Sequence, residues 1–185
     1  MIQVKKTNQL MYNKKAIFFD RDGVVNKLIA RDGGLYSPRV LKDFIFYDDI
    51  KPCIDYLIEK NFLIFIISNQ PDISRGKMSI KELNKINFKI NKNLHIDEIY
   101  YSFDSEFSMN GTKKPSPKML FAAKEKWKID FSKSFFIGDS VADRDCAKNA
   151  NLSFILVSRS HNKELNYSSK INTLNDLKNI IENGI

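Results

Sequence analysis

The feature that most constrains this chain is an alternation: short unbroken apolar runs are separated by longer segments of helical period. The run FLIFIIS at 62–68 has no polar residue at every second place, so it reads as a strand covered on both faces. Runs at 15–19, 98–102, 134–137 and 153–157 are likewise short enough for strands. Between them, 49–60 sets Ile50, Ile54, Leu57 and Ile58 on one helical face. Ser79 opens 80–93 with Glu82 three residues on, the spacing of a capping box. Segments 117–127, 142–149 and 174–182 complete the helices. Strand–helix repetition of this kind calls for a parallel sheet with right-handed crossovers, an α/β fold in three layers. With no internal repeat or linker, residues 1–185 form one expected domain, residues 1–13 being a loose extension.

A sheet of that kind binds ligands beyond the carboxyl ends of its strands. There the sequence places Asp20-Arg21-Asp22-Gly23, Ser68-Asn69-Gln70 and Gly138-Asp139-Ser140. In extended backbone, Asp20 and Asp22 point to the same side. Two carboxylates that close raise each other's pKa unless a cation sits with them, so the stretch asks for a positive partner. Each signal alone has a plainer reading: Ser-Asn as a turn, Lys114 before Pro115 as solvated surface, GDSVAD as a well-capped helix start. Their convergence on one sheet edge is what argues for chemistry.

Composition narrows the partners. No run approaches the roughly 20 apolar residues of a membrane span, and MIQVKKTNQLMYNKK lacks the apolar stretch of a secretory signal. Cys53 and Cys146 have no paired spacing, so they read as reduced helix cysteines of a cytoplasmic protein. The net charge of +8 raises nucleic acid as a partner. Only six of the 30 basic residues are arginine, however, and the lysines are dispersed. A nucleic-acid partner is therefore not expected, while a small acidic substrate suits the charge.

The motifs DRDGVVN, ISNQ, KKP and GDSVAD, in that order, resemble those of the haloacid dehalogenase superfamily of phosphohydrolases. The resemblance implies a Rossmann-like fold with Asp20 as nucleophile, Asp22 as general acid and base, and Ser68 and Lys114 on the phosphoryl group. It implies substrate contacts from Asn69 and Gln70. Mg²⁺ would be held by Asp20, the Asp22 carbonyl and Asp139, with Asp143 behind them. The chemistry fits these residue types, since a carboxylate nucleophile divides a very slow hydrolysis into two steps. Hard oxygen ligands suit Mg²⁺. Only 45 residues separate Asp22 from Ser68, and 45 separate Ser68 from Lys114, too few for a sizeable inserted cap. A capless enzyme is expected.

Tyr36, DFIFYDDI, SNQPDISRGKMS, EIYY and KKPSPKM resemble the heptose bisphosphate and histidinol phosphatases within that superfamily. This implies a small phosphorylated sugar as substrate, foremost D-glycero-D-manno-heptose 1,7-bisphosphate cleaved at the 7-position, with Arg75 as a substrate contact. Histidinol phosphate and a polynucleotide 3′-phosphate are the rival substrates. A non-catalytic phosphate-binding module is the remaining alternative, against which Asp22 argues. Those phosphatases commonly carry zinc on three Cys and one His. The matching positions here are Ser102, Asp104, Asn110 and Thr112, so no zinc is expected and loop 102–113 needs other contacts. Lys113, also expected on substrate, replaces the usual arginine, a point charge for a planar fork. His95 and His161 are expected at the surface, Trp127 in the core, and Phe44, Phe46 and Tyr47 in local packing.

Overall fold

The computed structural model describes residues 12–183, so the loose extension expected over 1–13 lies almost wholly outside them. Six strands form one parallel sheet. In chain order they are β1 (Ala16–Phe19), β4 (Leu63–Asn69), β5 (Glu98–Ser102), β6 (Phe135–Gly138), β7 (Ser153–Val157) and β8 (Lys170–Ile171). Across the sheet the order is β5-β4-β1-β6-β7-β8, with every neighbouring pair parallel. Helices α1 (Ile50–Glu59), α2 (Pro71–Ser74), α3 (Ile80–Asn93), α4 (Lys118–Trp127), α5 (Val141–Asn149) and α6 (Leu177–Glu182) fill the crossovers and the C-terminal end. A two-stranded antiparallel hairpin, β2 (Ile29–Arg31) with β3 (Gly34–Tyr36), stands apart from the sheet.

Strand β1 is buried along its whole length, and its side chains alternate between two apolar layers. Ile17 and Phe19 face a layer with Ile54 and Leu57 of α1, Ile86 and Ile90 of α3, and Leu177 of α6. Ala16 and Phe18 face another with Met119 and Leu120 of α4 and Cys146 of α5. Each large side chain so covered contributes about 1.5–3 kcal/mol. On the second face Phe18 stacks on Phe65 at 5.2 Å between ring centroids, and Trp127 meets Phe65 edge-on at 5.5 Å. Trp127, expected in the core, is partly buried against this layer and donates its ring N–H to Glu98 at 2.8 Å, which satisfies its polar end.

Local signals set the helix ends. Ser79 caps α3 by accepting from the Glu82 amide at 3.2 Å. The expected box is only half made, because the Glu82 carboxylate turns instead to the Leu41 amide and to Lys85. Both cysteines are buried and free, and burial pushes each thiol up to about 12.

The expected C-terminal helix at 174–182 divides into a 3-10 turn, Leu174–Asp176, followed by α6. Among the described residues, no helix is long and apolar enough to cross a membrane.

Candidate active site

The polar residues after β1, β4 and β6 meet at one edge of the sheet. Register explains it: Phe19, the last residue of β1, lies beside Ile66 of β4 and Ile137 of β6, so β6 ends one residue and β4 three residues past it on the same edge. Asp20 is tied to this edge by its own amide, which donates to the Ile137 carbonyl at 2.9 Å. The chain then turns back at once, with the Val25 amide donating to the Arg21 carbonyl at 2.8 Å.

Gly23 makes that turn possible. It sits at φ +93°, and a Cβ there would fall 1.8 Å from Asp139 Oδ2. No side chain fits between the turn and the Asp139 carboxylate. Gly138 is equally confined, since its Cβ would lie 2.4 Å from that of Asp143.

Lys114 is the centre of the charge arrangement. Its ammonium donates to Asp20 Oδ1 at 2.7 Å, Asp143 Oδ1 at 2.6 Å and the Ile67 carbonyl at 3.0 Å. All three of its protons are thereby engaged. Burial opposes the charge, yet Asp143 and Asp20 hold the Lys114 ammonium well above the ordinary lysine value. Asn69 fixes the same residue by its backbone, accepting from the Lys114 amide at 2.9 Å.

Asp143 has two duties. One oxygen takes Lys114, and the other accepts from the Ser140 amide and hydroxyl at 3.1 and 2.5 Å, closing the capping box of α5.

Asp22 points to the same edge but into a different set of partners. Arg21 grips it with two nitrogens, Asn26 donates at 3.0 Å and Gln70 at 2.7 Å. Gln70, expected to touch substrate, is buried and spends its amide on Asp22 and on Ser68 Oγ at 2.9 Å. Ser68 itself is fully buried, with its hydroxyl oxygen accepting from Gln70, and it is not among the residues that line the cavity. Arg21 is wholly buried; Asp22 raises its pKa against the opposing effect of burial.

Asp20, Asp139 and Asp143 each present a carboxylate oxygen within 4.8 Å of the others. With Asp22 they make four acids against the two permanent cations Lys114 and Arg21, a formal excess of two negative charges. Burial, then Asp143, push the Asp20 carboxyl well above the ordinary aspartate range, with Lys114 pulling against them. Burial also raises Asp139, opposed by a hydrogen bond from His161. Buried hard oxygens with that surplus charge fit a divalent cation such as Mg²⁺. The cavity above them has a volume of about 550 Å³ and is bounded by the β2–β3 hairpin through Leu35 and Tyr36, by Val141, and by His161, Glu164 and Leu165.

Two expectations, for His161 and Tyr47, need correction. His161 is not a free surface residue: its Nε2 lies 2.5 Å from Asp139 Oδ2 and it lines the cavity, whereas His95 is exposed. No sequence spacing links His161 to Asp139, so only the fold reveals the pair. Arg75 and Lys113, expected on substrate, both donate to the Ser105 carbonyl, at 2.8 and 2.6 Å, and neither lines the cavity above the acids. Tyr47 does more than pack locally, since the Arg159 guanidinium lies 3.8 Å from its ring centre.

Loop 102–113 is held by hydrogen bonds at the positions where relatives were expected to place metal ligands. Asp104 Oδ2 accepts from the Thr112 amide at 2.6 Å, the Thr112 hydroxyl at 3.1 Å and the Lys113 amide at 3.3 Å. Ser102 Oγ joins the Thr112 hydroxyl at 2.9 Å. Thr112 is the principal cause of a carboxyl held below the ordinary aspartate value.

Comparison with known proteins adds the family. The model of the polynucleotide kinase 3 phosphatase family matches residues 15–173. The chain belongs to this family of haloacid dehalogenase phosphatases. The phosphatase is 34% identical over 174 residues to D-glycero-D-manno-heptose-1,7-bisphosphate 7-phosphatase of Chlorobaculum tepidum, covering 83% of each chain. It is 28% identical to the D-glycero-alpha-D-manno-heptose-1,7-bisphosphate 7-phosphatase of Campylobacter jejuni, over 91% of this chain and 96% of the other. Among solved structures, the phosphatase shares its fold with D,D-heptose 1,7-bisphosphate phosphatase from B. bronchiseptica, a complex with magnesium and phosphate. The TM-score is 0.80 at 21% identity, over 92% of this chain and 99% of that one.

Proposed function

We propose that this phosphatase hydrolyses D-glycero-D-manno-heptose 1,7-bisphosphate at the 7-position, in the cytoplasm, through an aspartyl-phosphate on Asp20. The observation that carries the chemistry is the pairing of Asp20 with Lys114 at 2.7 Å, beside an Asp22 held separately by Arg21, Asn26 and Gln70. One carboxylate is thus set to attack, while the other, outside the reach of Lys114, is the one left to handle protons. The substrate rests on the names of the relatives and on the cavity.

Asp20 would attack phosphorus while Asp22 gives its proton to the departing sugar oxygen. Asp22 would then take a proton from the water that opens the aspartyl-phosphate, releasing phosphate and restoring Asp20. Lys114 and Ser68 would balance charge on the phosphoryl oxygens throughout. Asp20, Asp139 and the Asp22 carbonyl would hold Mg²⁺, which would supply positive charge to offset two anions brought together. Asp143 acts by positioning Lys114 and by keeping the start of α5 in place.

The family description favours one second reading, a polynucleotide 3′-phosphatase, and the net charge of +8 accords with it. Against it, Lys114 is the one Lys or Arg lining the cavity among the described residues. Single-stranded nucleic acid calls for a groove with several cations and stacking rings. The test is Mg²⁺-dependent phosphate release from heptose bisphosphate anomers, histidinol phosphate and a 3′-phosphorylated oligonucleotide. Preference for the heptose supports the proposal. Preference for the oligonucleotide, with KM rising steeply in salt, replaces it.

A further inference from the structure

Five residues after β7, Ser158 to Asn162, form a strap against the site that none of the sequence motifs includes. Asn162 is buried, and its amide donates to the Asp139 carbonyl at 2.8 Å and to the Val157 carbonyl at 3.0 Å. Its side-chain oxygen accepts from the Arg159 amide at 2.7 Å, which closes the strap on itself. Arg159 reaches the Gly23 carbonyl at 3.3 Å and both oxygens of Asp49, and stacks on Tyr47. Asp49 in turn accepts from the Leu174 amide at 3.0 Å, which ties the strap's anchor to the turn before α6. His161, next to the anchored Asn162, closes on Asp139 Oδ2 at 2.5 Å. With Asp139 ionised, as a metal ligand must be, its oxygen only accepts, and Nε2 then carries the proton in this contact.

Asp139 is therefore held at two points, its carbonyl by Asn162 and its carboxylate by His161. The strap is also joined to Gly23, the residue whose lack of a side chain makes room for that carboxylate. We infer that His161 is a positioning residue for the cation site: it holds one oxygen of Asp139 so that the other stays directed toward the metal. This rests on the reading that Asp20 and Asp139 bind Mg²⁺. A histidine in contact with a ligating carboxylate restricts its rotation and fixes its basicity, and loss of such a partner typically weakens metal binding about 10–100-fold.

The test is calorimetric Mg²⁺ binding to the full chain and to His161→Ala, His161→Gln and Asp139→Asn, with circular dichroism as the check on folding. His161 is partly exposed, so alanine leaves the core intact. The expected result is a Mg²⁺ affinity about 10–100-fold weaker in His161→Ala. His161→Gln, whose amide also donates, recovers most of that loss, and the thermal midpoint without Mg²⁺ is unchanged in both. Affinity equal to wild type in His161→Ala overturns the inference while leaving the metal site in place. So does equal weakening in both histidine variants, which would mean shape and not the donated hydrogen bond. Wild type and Asp139→Asn binding Mg²⁺ equally would overturn the metal reading itself and the inference with it.

Discussion

Asp20 and Asp22 are two residues apart, yet their surroundings assign them different work. Asp20 shares Lys114 with Asp143, while Asp22 is surrounded by donors from Arg21, Asn26 and Gln70. Asp20→Asn is expected to abolish turnover with the fold intact, measured as phosphate release; retained activity would remove it as the nucleophile. Asp22→Asn should slow both half-reactions, by about 10²–10⁴-fold each, seen in single-turnover kinetics. Lys114→Ala leaves Asp20 and Asp143 buried without their cation. In metal-free protein it should cost about 3–5 kcal/mol in urea unfolding, and Mg²⁺ should restore part of that. A change under about 1 kcal/mol would mean that this pair carries little charge in the free protein. At this scale the sequence discloses the acids, the lysine and the glycine well, because each belongs to a short local pattern. It conceals His161, Asn162 and Arg159, whose partners lie 22 to 136 positions away. It also conceals the inward turn of Gln70.

Loop 102–113 shows how a few side chains can hold an irregular element in place. Ser102, Asp104 and Thr112 are joined directly by hydrogen bonds. The depressed Asp104 carboxyl gives the clip a defined pH dependence. The clip is fully present above the ordinary aspartate value of about 3.9 and is lost as pH falls through the lower folded value. The Thr112 amide resonance should therefore shift with an inflection below about 3.9. An inflection at or above that value would mean that the carboxylate is not gripped by Thr112. Asp104→Ala should speed hydrogen exchange at Thr112 and Lys113 while leaving the global midpoint nearly unchanged. Among the elements, the five long strands and the main helices were legible because burial imposes their period. The β2–β3 hairpin was not: Ile29–Arg31 and Gly34–Tyr36 are only three residues each and none is buried, so no apolar period marks them. The two-residue β8 and the one-turn α2 escaped for the same reason of length.

For the whole molecule, the two apolar layers on either face of the sheet carry stability, and the polar edge carries the chemistry. Phe18, wholly buried between Phe65 and Phe131, is in the layer with α4 and α5. Phe18→Ala is expected to cost about 3–5 kcal/mol by urea denaturation; a loss under about 1 kcal/mol would mean that this layer can collapse around the cavity. The parallel order could be expected from strand–helix repetition, but the position of β1 between β4 and β6 required the fold. That position has a practical consequence for how such a molecule can diversify. The proposed nucleophile follows a strand paired on both edges, whereas the hairpin pairs with no strand of the sheet and Glu164 and Leu165 lie in the irregular segment between β7 and β8. Libraries confined to those two walls can thus exchange the alcohol that is accepted while the reagent beneath stays constant, like a fixed lathe with interchangeable chucks.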